Sequence, residues 1–96
     1  MNTEPTSTLY PEVSPAVSPL ASAVRGQRND MDLTVQHAAN LSGLSVELWQ
    51  QLEAGTWIPE SFEDVEAVAR GIGADGTMIS FLALVSREGL WKRYIH

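Results

Sequence analysis

From Pro19 onward the apolar residues of this chain recur at helical intervals, and no stretch alternates as a strand would. Leu20, Ala23, Val24 and Gln27 share one face at the 3, 4, 7 spacing. Ser18 supplies an N-cap and Pro19 a first-turn residue, which predicts a helix to about Arg28. A polar stretch, Asn29 to Asp32, ends it. Thr34 caps a second helix to about Leu41, with Ala38 and Ala39 inward and Gly43 at its end. Ser45 caps a third, Val46 to Ala54, with Leu44, Leu48, Trp49 and Leu52 as the inward stripe and Gly55 as its stop. Ser61 begins a fourth, whose buried face is Phe62, Val65, Val68, Ala69 and Ile72, with Gly71 and Gly73 weakening and closing it. A fifth runs from Met78 to about Ile95, with Ile79, Leu82, Val85, Trp91 and Ile95 as apolar positions and Gly89 as a point where it kinks or divides. The pattern predicts an all-α bundle of five helices.

Residues 1–18 differ. They hold three of the five prolines and only two charges, both acidic, and their few apolar residues have no period. They are expected to form a flexible N-terminal arm, although Tyr10 and Val13 are candidates for docking. The remainder divides into a domain over 19–75 and a C-terminal helix over 76–96, a candidate dimerisation element.

Composition narrows the function. With no cysteine there is neither disulfide nor thiolate metal site. His37 and His96 lack ligand spacing, so neither a metal nor another cofactor is expected. No apolar run approaches the ~18–20 residues of a membrane span, and no basic residue precedes an apolar stretch at the start. A cytoplasmic protein without membrane contact is expected. No nucleophile–base pair or Gly-rich phosphate loop stands out, which argues against an enzyme. Twelve acids against six bases give a net charge of -6, the reverse of the usual balance in a nucleic-acid binder.

Against that charge stands the segment from Thr34 to Gly55. Ala39, Gly43, Trp49 and Leu52 fall where two short helices need small and apolar residues to cross over a tight turn. This is the spacing of a helix-turn-helix, which places its second helix in the DNA major groove. The wider sequence resembles the Cro/C1-type (XRE-like) helix-turn-helix family of phage repressors and bacterial regulators, whose fold is the lambda-repressor-like bundle. The resemblance rests on Val24-Arg25-x-x-Arg28 before Leu33-Thr34, on Gly43-Leu44-Ser45, on Leu52-Glu53-x-Gly55, and on Pro59 followed by Val68-Ala69-x-x-Ile72-Gly73. It covers about residues 20–75.

The resemblance implies double-stranded DNA as partner, an operator read by a homodimer. It places Val35, Gln36, Val46, Glu47, Gln50 and Gln51 at the DNA-facing positions. Gln51 is suited to adenine N6 and N7, Val46 to a thymine methyl, and Glu47 to cytosine N4. Val35 stands where the family often has glutamine. Ala54, Thr56 and Trp57 replace the cationic or amide residues that often hold phosphate there.

Arg25 and Arg28, the only cations of this region, are either phosphate clamps or ion-pair partners of Asp32 and Glu53. Phe81, Leu84 and Trp91 exceed what a single core needs and are candidates for the two-fold interface. A second function stays open: the fold has lost DNA and docks a protein partner through Trp57 or the acidic cluster Glu60, Glu63, Asp64 and Glu66.

Overall fold

The computed structural model describes residues 18–89. The expected arm before Ser18, and Trp91 and Ile95, lie outside them. Five helices follow one another: α1 (Pro19–Asp30), α2 (Val35–Ser42), α3 (Val46–Ala54), α4 (Phe62–Ile72) and α5 (Gly76–Glu88). No strand occurs among the described residues.

Each start is set by a side chain that accepts from an unpaired amide of the first turn. Ser18, Thr34, Ser45, Ser61 and Asp75 play this part, and such a cap is typically worth about 1 kcal/mol over alanine. Four ends, at Gly43, Gly55, Gly73 and Gly89, depend on a left-handed backbone, and two of them shape the fold most. Gly43, at φ +85°, lets the chain leave α2 and enter α3 within a three-residue turn. Gly89, at φ +70°, ends α5. The fifth helix thus starts two residues before the expected Met78 and is capped at Gly89, the point expected to kink or divide it, while the expected continuation to Ile95 lies outside the described residues.

The core joins all five helices. Leu20 and Val24 of α1, Ala38 and Ala39 of α2, Trp49 and Leu52 of α3, Val65, Val68, Ala69 and Ile72 of α4, and Ile79 and Ala83 of α5 form one buried cluster. The inner face of α5 thus closes the same core as the helix-turn-helix. Ser86 Oγ also accepts from the Leu20 amide at 3.1 Å, satisfying an orphan N–H in the first turn of α1. Phe62 departs from expectation. At the first position of α4 it is 77% exposed, and the buried face begins one turn later at Val65.

Trp49, the largest fully buried side chain, has a nonlocal counterpart in Gly71. A Cβ at Gly71 would come within 2.6 and 2.7 Å of the Trp49 ring and 2.9 Å of the Ala38 carbonyl oxygen. The glycine is a notch through which α4 approaches α2 and the indole. Its usual helix penalty of about 1 kcal/mol is outweighed by the overpacking that a methyl would cause, about 1–3 kcal/mol.

Gly71→Ala is therefore expected to lower stability in urea unfolding, although alanine is the better helix former. The loss should shrink in a Trp49→Leu background, where only the Ala38 carbonyl still crowds the methyl. An equal or larger loss there would show that the indole is not what the notch accommodates.

Candidate nucleic-acid interface

The two helices of the motif present different faces. On α3 the inward stripe is Trp49, Leu52 and Glu53, all buried. The opposite side carries Glu47, Gln50, Gln51 and Ala54, exposed and spaced at 3, 4 and 7 so that they share one face. At the start of α2, Gln36 is exposed as well. Val35 and Val46, expected among the DNA-facing positions, are half-buried and pack against the core, so less of each faces outward.

Glu53 explains why a helix with two carboxylates shows only one. Its Oε2 accepts from the Trp49 indole N–H at 2.7 Å and from Arg28 Nε at 2.6 Å, and its Oε1 accepts from Arg28 Nη2 at 2.9 Å. The Arg28 Nη1 group donates to the Leu33 carbonyl at 2.8 Å. Side-chain exposure is 13% for Arg28 and 10% for Glu53, so this bidentate pair is largely withdrawn from water. The hydrogen bonds to Glu53 hold the arginine above its ordinary pKa against the opposing effect of burial. Of its two expected roles Arg28 thus takes the ion pair, with Glu53 and not with Asp32. The geometry corrects its candidacy as a phosphate clamp, because its donors are already directed inward.

The remaining described cations also reach backbone carbonyls. Arg25 Nη2 donates to the Glu53 carbonyl at 3.0 Å, near the end of α3, and Arg70 Nη2 donates to the Ser42 carbonyl at 3.0 Å, at the end of α2. Both are favourable places for a cation, since the last carbonyls of a helix lack intrahelical partners and carry the negative end of its dipole. Arg87 Nη1 donates to the Pro59 carbonyl at 3.2 Å. Arg25 and Arg70 are nonetheless exposed, with donors to spare.

Helix N-termini differ in their welcome to an anion. The first turn of α4 contains Glu63 and Asp64, whereas the first turn of α2 contains no acid. A phosphate near α4 would meet carboxylates. One near α2 would meet the Val35 and Gln36 amides.

Two features of this surface escaped the sequence reading. The cap by Arg70 was missed because the residue lies 28 positions from its acceptor. The second is a cavity beside the α3–α4 connector, lined by Trp57, whose half-buried ring also packs on the core. Phe81 and Leu84 are 62% and 46% exposed on α5, together with Met78 at 44%. Trp91, the third expected interface residue, lies outside the described residues. Among those residues no single helix is long and apolar enough to cross a membrane.

No curated protein and no solved structure matches the chain. A family model described as a helix-turn-helix domain does, over residues 19–82, which takes in α1 to α4 and the first half of α5. The short turn at Gly43, the outward face of α3 and this match agree: the chain belongs to the helix-turn-helix domain family.

Proposed function

We propose that the protein is a sequence-specific DNA-binding transcriptional regulator, a small cytoplasmic repressor-like protein, that reads the major groove with α3. The observation that carries this reading is the outward face of α3, where Gln50 and Gln51 stand beside a single carboxylate because Glu53 is turned inward. A glutamine at such a place can pair with adenine N6 and N7, and Glu47 can accept from cytosine N4. Phosphate contacts fall to Gln36 and the first amides of α2, and to Arg25, whose remaining donors are free to turn outward.

Such a surface attracts phosphates weakly, so base contacts and shape carry more of the affinity than in a basic regulator. The salt dependence records this. Each neutralised phosphate contributes a slope of about -0.9 in log affinity against log salt. With Arg25 as the principal cation, a dimer should show a slope near -2 and not the steep dependence of a basic repressor.

A dimer is part of the proposal. The outer face of α5 carries Met78, Phe81 and Leu84, and no charged residue occurs from Gly76 to Ser86. In a chain of net charge -6 this uncharged strip is where two copies meet without repulsion. Two α3 helices would then address half-sites about one helical turn apart.

Selection from a random duplex pool, followed by salt titration of the selected site, is expected to give a shallow slope. Gln51→Ala should relax base preference at one position per half-site by about 1–3 kcal/mol. Failure to enrich any sequence at low salt, with the fold intact, would defeat the proposal. For the interface, Phe81→Glu should convert dimer to monomer in sedimentation equilibrium. A wild-type chain that is monomeric at high concentration would exclude the α5 strip from that role.

A further inference from the structure

We infer that the cavity beside the α3–α4 connector binds a small organic cation, an ammonium or guanidinium compound of about the size of a diamine. The cavity has a volume of about 390 Å3. That is within the ~300–1,000 Å3 range of small-molecule sites. It opens to solvent and is lined by Trp57 and Ile58 of the connector, by Glu60 and Asp64 at the entry to α4, and by Arg87 of α5.

The chemistry of these walls selects the occupant. Two carboxylates against one guanidinium leave the lining with a net negative charge. Arg87 also directs one of its nitrogens at the Pro59 carbonyl, which ties part of its donor set to the connector backbone. The lining also includes the Trp57 indole, a ring that attracts a cation lying over its face, more so a weakly hydrated organic cation than a small ion. The charge of the whole chain raises the local concentration of cations and lowers that of anions.

A bare metal ion fits less well. Among the described residues no three acidic or histidine side chains come together as a ligand set. Two carboxylates beside an aromatic wall and the apolar Ile58 suit an ammonium head with a short carbon chain. Binding here is independent of whether α3 reads DNA, since it is measured on the protein alone.

Isothermal titration of the full chain with butane-1,4-diamine and with agmatine, at low and matched ionic strength, tests this directly. Butane-1,4-diol and succinate serve as the neutral and anionic controls. One-to-one saturable binding of the two cations, but not of the controls, is expected. Trp57→Leu and the double variant Glu60→Gln/Asp64→Asn should each weaken it about tenfold or more, with helical circular dichroism retained. Nuclear magnetic resonance should show the Trp57 indole N–H shifting with the same saturation curve. The inference is overturned if no binding tighter than about 1 mM is found, if both variants bind as the wild type does, or if sodium chloride alone reproduces the shift.

Discussion

The carboxylate of Glu53 holds the motif together. It accepts from Trp49 one turn back on α3 and from Arg28 on α1, so one acidic side chain fixes the rotation of α3 against the rest of the bundle. Taking charges out of water is costly, and such a group is tolerated because each oxygen meets a charged or N–H donor with good geometry. The indole it orients fills the space that Gly71 leaves open. Removing one member would expose the others to an unpaired polar group or a void. With α3 fixed in this rotation, Gln50 and Gln51 face outward.

The same interaction makes the charge of the outward α3 face a matter of geometry rather than of composition. Net charge suggests a molecule that phosphate would avoid, yet the acids are unevenly placed. Glu60, Glu63, Asp64 and Glu66 gather where α4 begins, while α3 shows only Glu47 outward and the first turn of α2 has no acid. The cations are distributed differently again. Arg25, Arg28, Arg70 and Arg87 all reach backbone carbonyls, so they serve first to satisfy the ends of helices and loops. A surface arranged this way offers phosphate little long-range attraction, so under the proposed function selectivity would come from close contacts.

Much of this was legible in the sequence because it is local. Ser18, Thr34, Ser45 and Ser61 act within three residues of themselves, and Gly43 and Gly55 mark helix ends by a conformation that other residues resist. The α3 boundaries were read as they stand for that reason. Errors arose where periodicity was extended past the core. Phe62 fits the apolar period of α4 but lies one turn before its packed face. Nonlocal facts were out of reach. That Gly71 receives Trp49 depends on two helices meeting, and a glycine inside a helical pattern reads only as a weak point. The choice between phosphate and Glu53 for Arg28 likewise required coordinates, because both options use the same residue type.

The proposed gene control requires that the outward side of one nine-residue helix, α3, meet bases. Amide shift mapping of the isotope-labelled chain, with its selected duplex added at low salt, addresses that side residue by residue. Perturbations concentrated at the start of α2 and over residues 46–51, with the α4 entry undisturbed, are expected. Silence across α3, or shifts gathered around Trp57 and the acidic start of α4, would contradict the proposed contact with DNA.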